Sequence, residues 1–264
     1  MKVTFVEYED KIASSRLRAK IPQIELAKLG IGKGNDVLIY GKHFVKLEDI
    51  RGFSKIVFDV SDDHFSGPLR DYYLRHCENA DYLTCNSEYM KQRLLEETGK
   101  VASVIPEPYE GEELKPSISP VLFWFGHQSN LKDLSRLELD YPVHVLTNAP
   151  GFTQWTPENM KSLMGQSSIV IIPTGKSMAK SENRMVEAIR GGHYVCAEPL
   201  PSYEPFSQFF ELGDIPRHVE QALASPEESV KRILAAQDYI RDRYSPVSIG
   251  KQWMEVLCSL PTQN

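Results

Sequence analysis

Two lysines and a predicted helix start stand close together in the second half of the chain, and this combination suits an anion. Lys176 and Lys180 lie in a polar loop, and Ser181 is a good N-cap for a helix that Gly191 ends. A helix start offers N–H groups without intrahelical partners and the positive end of the helix dipole, which favour a phosphate. Glu187, further along the helix, can accept hydrogen bonds from a hydroxylated group such as a ribose. A solvated helix face beside a basic loop would produce the same pattern, so this segment alone leaves both interpretations open.

The residues on either side predict the elements that position this loop. The apolar run Ile169–Ile172 ends at Pro173 and predicts one strand, and Tyr194–Ala197 predicts another. The helix between them, Ser181–Arg190, has an apolar stripe formed by Met185, Val186 and Ile189. A second face of the helix carries Lys180, Asn183, Glu187 and Arg190. A strand, a loop, a helix and a strand in this order build a parallel sheet, whose ligands lie at the carboxyl ends of its strands.

This segment resembles the donor-binding motif of glycosyltransferases with the GT-B fold, especially those of glycosyltransferase family 4. The resemblance rests on Pro173 after the strand, on Glu187-Ala188 in the helix and on Gly191-Gly192 behind it. It implies that Glu187 binds the ribose of a nucleotide and that the helix start binds the diphosphate. The string Lys180-Ser181-x-Asn183-Arg184 is similar to a variant in which Lys and Asn lie beside the phosphates. Members of the family commonly have another Glu about eight positions before the ribose-binding one, where this chain has Ala179.

The composition indicates a soluble globular protein of one large or two small domains, with 264 residues and a net charge of −6. The acidic balance argues against a general binder of nucleic acids or anionic membranes. Apolar runs are too short to span a bilayer and the N-terminus lacks a signal-peptide pattern, so we expect no stable membrane insertion and a cytoplasmic location. The four cysteines are far apart and form no CxxC pair, which favours free thiols in a reducing compartment.

The beginning of the chain predicts a strand, a helix and two further strands. Their expected ranges are Lys2–Glu7, from Ser14 or Ser15 to Leu29, Val37–Tyr40 and Lys55–Val60. This run resembles the start of the N-terminal GT-B domain, in which the loop after the first strand faces the cleft. Arg16 and Arg18 lie on the first turn of the helix, and the resemblance implies that they reach the donor phosphate or the acceptor. Alternatively, Arg16 and Arg18 are solvated arginines on the protein surface.

An acidic stretch follows the strand that ends at Val60, and it permits three interpretations. Asp59, Asp62 and Asp63 can hold a divalent metal ion, as the DxD motif of GT-A glycosyltransferases does. Asp62, Asp63 and His64 can instead line a cleft, where they orient hydroxyl groups or assist proton transfer. An Asp here can also simply cap the following helix. The downstream resemblance to GT-B enzymes, which do not need a bound metal, favours the cleft loop.

Tyr109–Pro120 indicates the boundary between two domains, because it has glycine, prolines and acids but little apolar content. The apolar string Val121–Phe125 then predicts a buried strand that runs into Gly126. A strand followed by a glycine-led loop and a helix is a second phosphate-binding corner. It resembles the first strand of the GT-B C-terminal domain, whose loop faces the donor and carries a basic residue; His127 and Lys132 are the candidates.

The sequence therefore predicts an α/β protein of two Rossmann-like domains, with parallel sheets and a cleft between them, which is the GT-B architecture. The domains are expected at residues 1–108 and 121–245, with a linker at 109–120 and a C-terminal helix at 246–264. The resemblance to GT-B proteins implies that this helix crosses back to the first domain. The resemblance implies a glycosyltransferase that moves a sugar from a nucleotide-diphosphate sugar to a hydroxyl acceptor, with retention. It also implies that the enzyme needs no cofactor and no metal ion.

The predicted residues fall into two groups. The catalytic group is Asp62, Asp63, His64 and Lys180, in which Lys180 stabilises the leaving diphosphate. The donor-binding group is Arg16, Gly126, His127, Lys176, Ser181, Asn183, Arg184 and Glu187. The predicted reaction permits four classes of acceptor: a saccharide, a lipid-linked sugar, a small molecule or a modified nucleobase. The alternatives are a non-catalytic nucleotide- or sugar-binding protein with a degenerate site, a metal-dependent GT-A-like transferase built around Asp59–Asp63, and a phosphorylase or sugar-phosphate isomerase.

Overall fold

The computed structural model describes residues 1–9, 12–42, 45–175 and 178–260. The chain divides into two compact units, the first formed by residues 1–108 and 243–264 and the second by residues 109–242. The described residues form a five-stranded sheet and a four-stranded sheet, and every strand pair in both is parallel. The predicted α/β fold, with parallel sheets in two Rossmann-like domains, is confirmed.

The first sheet lies entirely in the first unit and has the strand order β1-β2-β3-β4-β5. Its strands are β1 (Lys2–Phe5), β2 (Gly32–Gly41), β3 (Lys55–Val60), β4 (Tyr82–Cys85) and β5 (Ala102–Val104). β2 begins earlier than the apolar run at Val37 predicts. The reason is an irregularity in the pairing with β1, in which Lys2 lies opposite Gly32 but Val3 lies opposite Val37.

The helices of the first unit follow the predicted pattern with one difference. The first helix is α-helical at Ala13–Ser15, π-helical at Arg16–Lys20 and α-helical again at Ile21–Lys28, and the others are Arg70–Asn79, Glu88–Thr98 and Pro246–Ser259. Ser87 caps Glu88–Thr98 by accepting a hydrogen bond from the Met90 N–H group at 3.3 Å, and Gly99 ends it with φ of 69°. The π-helical stretch is a feature often found at functional sites.

The core of the first unit joins the first sheet to the helices Ile21–Lys28 and Pro246–Ser259. Phe5 of β1 packs edge-on against Trp253, with ring centroids 5.2 Å apart. Around this pair lie Val3, Leu26, Val37, Ile39, Val57, Ile105, Ile249 and Leu257, all buried. Gly250 permits the close approach of the two helices, because a Cβ atom there would lie 2.6 Å from Cβ of Glu25.

The second sheet lies in the second unit and has the strand order β7-β6-β8-β9. Its strands are β6 (Leu122–Phe125), β7 (Val143–Leu146), β8 (Ile169–Ile172) and β9 (Tyr194–Ala197). Every residue of β6, β8 and β9 is buried, as expected of parallel strands with both faces covered. The covering helices include Leu131–Leu134, Pro157–Gln166, Asn183–Arg190, Ile215–Ala224 and most of Pro226–Tyr244. Among the described helices, none has both the length and the apolar character needed to cross a membrane.

Candidate functional site

The strand order of the second sheet marks one position where a ligand is expected. β6 lies between β7 and β8, so the connection from β7 to β8 passes over β6 and the two strands β6 and β8 meet side by side. In open α/β sheets, ligands bind outside the carboxyl ends of the strands at such a switch point. The loop after β6 begins with Gly126, and the loop after β8 begins with Pro173. Both corners that the sequence predicts as phosphate-binding are therefore at adjacent strand ends.

The corner after β6 is tightly packed around Gly126. A Cβ atom at this position would lie 3.3 Å from the Trp124 ring and 3.4 Å from Nη1 of Arg184, so a side chain would disturb both neighbours. Arg184 also donates to the carbonyl oxygen of Phe125 at 3.5 Å, which places its guanidinium beside this corner. His127 is exposed and caps the single 3-10 turn Gln128–Asn130.

Lys180 connects the two corners. Its Nζ atom donates to Oδ1 of Asn130 at 3.2 Å, and its carbonyl oxygen accepts a hydrogen bond from Ser202 at 2.7 Å. Burial and the positive charge of Arg184 lower the pKa of Lys180, Lys132 lowers it further, and Asp133 opposes them. Burial is thus the largest cause of this shift and the two neighbouring cations add to it, so an anion bound there would favour the charged form of Lys180.

A carboxylate network shapes the corner after β8. Glu198, at the end of β9, accepts hydrogen bonds from the backbone N–H of Thr174 at 2.7 Å and from its hydroxyl at 3.2 Å. The same oxygen pairs with Arg136, which also donates to the carbonyl oxygen of Thr174 at 2.9 Å. Burial raises the pKa of Glu198, but the bonds from Arg136 and Thr174 outweigh it and the pKa is lowered. Glu198 and Arg136 fix the first turn of this loop, and the sequence analysis did not identify either.

The helix after this loop is shorter than predicted. It spans Asn183–Arg190, its N-cap residue is Glu182 and no side chain caps it, so the predicted role of Ser181 as the N-cap is wrong. The chain enters the helix through a bend at Glu182, and the first intrahelical bond runs from the Val186 N–H group to the Glu182 carbonyl oxygen at 3.0 Å. Asn183 thus occupies the first helical position, where N–H groups lack intrahelical partners.

Glu187 has partners that the sequence analysis missed. Its two carboxylate oxygens accept hydrogen bonds from the backbone N–H groups of Glu110 and Gly111, the second at 3.2 Å. All three residues belong to the second unit. The side chain is half-buried and lies off the apolar stripe, as the helical phase predicts.

Arg190 binds the same segment. Its Cζ atom lies 4.4 Å from the centroid of the Tyr109 ring, its Nε atom donates to Gly111 at 3.3 Å, and it forms an ion pair with Glu113. The backbone adds a hydrogen bond from the Leu114 N–H group to the Arg190 carbonyl oxygen at 3.0 Å. Residues 109–120, predicted as a linker, therefore lie in the second unit and contact its central helix.

In the first unit, Arg18 is not the solvated surface arginine of the alternative interpretation. Arg18 is buried and forms a bidentate ion pair with Asp59, which also accepts from the Thr84 hydroxyl at 2.7 Å. Helix phase turns Arg18 inward, toward the carboxyl end of β3. Arg16 is half-buried in the π-helical stretch.

The acidic loop after β3 divides into residues with different partners. Asp62 forms an ion pair with Lys42, whose φ of 58° is in the left-handed region. Asp63 accepts from the Phe65 N–H group at 3.0 Å and from Arg93 at 3.3 Å, so it shapes the loop. The His64 ring lies 4.7 Å from the Tyr73 ring, centroid to centroid.

The interpretation of Asp59–Asp63 as a metal site does not agree with this arrangement. Asp59 is occupied by Arg18, Asp62 by Lys42 and Asp63 by Arg93. Among the described residues, no cluster of three or more His, Cys, Asp or Glu side chains is placed to hold a metal ion.

A small cavity of about 20 Å³ lies in the first unit, where Arg18 and Asp59 meet the ends of β1 and β2. Tyr8, Ser14 and Lys42 contribute polar groups to its lining, and the buried Ser14 Oγ atom has no hydrogen-bond partner in the described part of the chain. The cavity has room for about one water molecule and not for a sugar ring.

Of the predicted site residues, the second unit carries seven on two loops and one helix: Gly126, His127, Lys180, Ser181, Asn183, Arg184 and Glu187. Lys176 lies outside the described residues. Arg16 belongs to the first unit.

Several solved structures share this fold at low sequence identity. HepE from Anabaena, in complex with UDP-glucose, has 14% identity, covers 98% of this chain and 100% of its own, and has a TM-score of 0.69. TarM has 11% identity over 84% of this chain and 55% of its own, with a TM-score of 0.63. A glycosyltransferase from Rickettsia africae has 14% identity over 98% and 85%, with a TM-score of 0.56. These likenesses show the fold alone. No protein-family model matches the sequence, and no curated protein is significantly similar to it.

Proposed function

We propose that the chain is a glycosyltransferase that uses a nucleoside-diphosphate sugar as donor and a hydroxyl group as acceptor. The observation that carries the proposal is the bond between Lys180 and Asn130, which joins the corners after β8 and β6 at the switch point of the second sheet. Lys132 and Arg184 add positive charge beside it. Three cations, opposed by the one carboxylate of Asp133, lie at the ends of two adjacent parallel strands, and this net positive charge suits a diphosphate.

Each group at this site has a place in the reaction. Lys180, Arg184 and the N–H groups at Asn183 hold the diphosphate and stabilise the negative charge that grows on it as the glycosidic bond breaks. Glu187 accepts hydrogen bonds from the ribose diol. Gly126 leaves space for the donor to approach the backbone after β6, and His127 and Ser181 border it. Lys176 adds a further cation by its position in the sequence.

The acidic loop after β3 supplies the candidate groups for the acceptor. Asp62 and His64 are the groups of the acidic loop that we expect to orient the acceptor hydroxyl or receive its proton. Asp63 is bound to Arg93 and supports the loop. The acceptor class remains a saccharide, a lipid-linked sugar, a small molecule or a modified nucleobase.

Two finer features, retention of the anomeric configuration and independence of metal ions, rest on the resemblance to family 4 in residues 173–192. Action in the cytoplasm rests instead on the cysteine pattern. All four cysteines lie in the described part of the chain and are free thiols, which agrees with a reducing compartment. The bound nucleotide of HepE makes UDP the first probe.

The test is a calorimetric titration with UDP and UDP-glucose, in the presence of a chelator and then of Mg²⁺. We expect binding in both conditions, with a dissociation constant in the micromolar range. Binding that strictly needs Mg²⁺ would reject the metal-independent mechanism. The absence of binding by any nucleotide sugar in a panel would reject the proposed function.

A second measurement separates the enzyme from a binding protein with a degenerate site. Slow hydrolysis of UDP-glucose, followed by NMR of the released sugar, is expected for a transferase without its acceptor. Release of the α-anomer would support retention, and tight binding without any turnover in the presence of candidate acceptors would support the non-catalytic alternative.

A further inference from the structure

Asp133 carries a buried carboxylate to which no side chain or backbone group in the described part of the chain donates a hydrogen bond. It lies on the short helix Leu131–Leu134 that follows β6, and only 8% of the residue is exposed. The carboxylate also forms no ion pair with a described residue. Buried polar groups in native proteins are nearly always hydrogen-bonded, so this exception calls for a partner of another kind.

The carboxylate faces the neighbouring loop at the switch point of the second sheet. Its Oδ2 and Oδ1 atoms lie 3.1 and 3.4 Å from the position that a Cβ atom of Gly175 would take. Gly175 belongs to the loop after β8, whereas Asp133 follows β6, and these two strands are neighbours in the sheet. Asp133 is therefore placed by the strand order itself where ligands of open α/β sheets bind.

Three cations and Asp133 are close enough to affect one another. Asp133 raises the pKa of Lys180, whereas burial and the positive charges of Arg184 and Lys132 lower it. One small part of the second unit thus combines positive charges with a single carboxylate. A diphosphate can bind to the cations, but an ionised carboxylate only accepts hydrogen bonds and repels phosphate oxygens.

A ligand that satisfies both kinds of group has negative charge in one part and hydrogen-bond donors in the next. A nucleoside-diphosphate sugar has this form, because the hydroxyl groups of its sugar follow directly on the diphosphate. We propose that Asp133 is a specificity-determining residue of the donor site, and that its carboxylate accepts hydrogen bonds from hydroxyl groups of the transferred sugar. The inference rests on the proposed function, because it needs a nucleotide sugar bound beside Lys180.

The experiment compares UDP sugars with the methyl ester of UDP, which has the same charge but no sugar after the diphosphate. Calorimetry with UDP-glucose, UDP-galactose and UDP-N-acetylglucosamine identifies the UDP sugar that binds best. We expect the wild-type protein to bind it about tenfold more tightly than the methyl ester, the effect of one hydrogen bond to a charged group. Asp133→Ala should weaken the binding of this UDP sugar about tenfold and should not weaken the binding of the methyl ester.

Asp140→Ala is the matched control, because Asp140 is an exposed carboxylate of the same unit and its removal changes the net charge equally. It should keep the wild-type affinities for both ligands. Asp133→Asn is a second variant of nearly the same shape, in case Asp133→Ala does not fold. Its preference for the UDP sugar should also be lower than in the wild type, because an uncharged amide makes weaker hydrogen bonds than a carboxylate.

The two ligands separate sugar recognition from a purely structural role. An equal loss of affinity for the UDP sugar and the methyl ester in a folded Asp133 variant would show that Asp133 only positions the cations, and would overturn the inference. An unchanged preference in such a variant would overturn it as well, as would a wild-type protein that binds none of the three UDP sugars more tightly than the methyl ester. A wild-type protein that binds neither the UDP sugars nor the methyl ester would instead reject the proposed function.

Discussion

Arg18 and Asp59 form a bidentate ion pair inside the first unit, with only 6% and 3% of their side chains exposed. Arg18 also donates to the backbone carbonyl oxygens of Ile105 and Pro106, the second at 3.3 Å, and lies 5.8 Å from the Trp253 ring centroid. Asp59 raises the pKa of Arg18 against the opposing effect of burial. The pair thus connects three strands of the first sheet to its covering helices.

Breaking this pair on one side should be costly. Asp59→Ala leaves a buried guanidinium without its charge partner, and we expect the free energy of unfolding to fall by about 3–5 kcal/mol. The double variant Arg18→Met with Asp59→Ala should lose less than the two single variants added together. Urea denaturation measures the free energy of unfolding of the wild type, the two single variants and the double variant. A loss below about 1 kcal/mol in Asp59→Ala would mean that water replaces Asp59 at no cost.

Lys180→Met should weaken diphosphate binding selectively. Its ammonium group is half-buried among other cations, and we expect a loss of about 1.5–3 kcal/mol, or roughly ten- to a hundredfold in the dissociation constant for UDP. Uridine, which lacks the diphosphate, should bind the variant as it binds the wild type. Lys161→Met is the control, because Lys161 is 69% exposed and pairs only with Glu112 in the described contacts. Equal losses for UDP and uridine would contradict a contact with the phosphates.

Asp62 and Asp63 should respond differently to the same substitution. Asp62 is 45% exposed and pairs with Lys42, whereas Asp63 is 18% exposed and bound to Arg93. We expect Asp62→Asn to lower kcat for UDP-glucose turnover at least about tenfold without a change in UDP affinity. Asp63→Asn should mainly lower stability, by about 1–3 kcal/mol. Wild-type turnover in Asp62→Asn and His64→Ala would remove this loop from the reaction.

Stability should decrease as the pH falls from about 6.5 to 4. Burial, with a smaller effect of Arg75, lowers the pKa of His76 to about 4, while the unfolded chain has the ordinary value of about 6.5. The unfolded state therefore binds more protons between these values, which favours unfolding as the pH falls. The pKa of His193 is also lowered to about 4, by burial, against the effect of its backbone carbonyl neighbours.

The variant His76→Phe isolates this contribution. A phenyl ring can replace the stacking of His76 on Tyr72, whose ring centroids are 4.0 Å apart, but it cannot titrate. It also loses the contact between His76 Nδ1 and the Tyr40 hydroxyl at 2.6 Å, so its stability at neutral pH should be lower. Between pH 6.5 and 5, its unfolding free energy should depend less on pH than that of the wild type. Identical slopes would show that His76 titrates alike in both states.

The sequence predicted the parts of the fold that short-range patterns encode. Apolar runs such as Ile169–Ile172 identified the buried strands, and Gly126 and Lys180 were assigned to two corners that the sheet brings side by side. The adjacency of these two corners follows from the strand order β7-β6-β8-β9, which short-range sequence patterns do not encode.

Short-range patterns could not identify contacts between residues that are far apart in the sequence. Arg18 was expected either to reach a ligand or to be solvated, because its partner Asp59 is 41 residues away and helical phase alone does not show which face a neighbour covers. Glu187 was expected to face either a ligand or solvent, whereas its backbone partners come from a segment with little apolar content. Ser181 was assigned as the helix cap from residue type, but the bend at Glu182 moves the start of the helix two residues on.

The helix Pro246–Ser259 has a consequence for the order in which the protein is made. Ile249, Trp253 and Leu257 fill the core of the first unit beside Val3 and Phe5, so a ribosome that has finished residues 1–108 has not yet supplied all of that core. The second unit is continuous from 109 to 242 and is complete earlier. Domains usually acquire structure from the N-terminal end during synthesis. In this chain the unit that begins first is completed last, and the growing polypeptide exposes an unfinished apolar surface until the final helix leaves the exit tunnel.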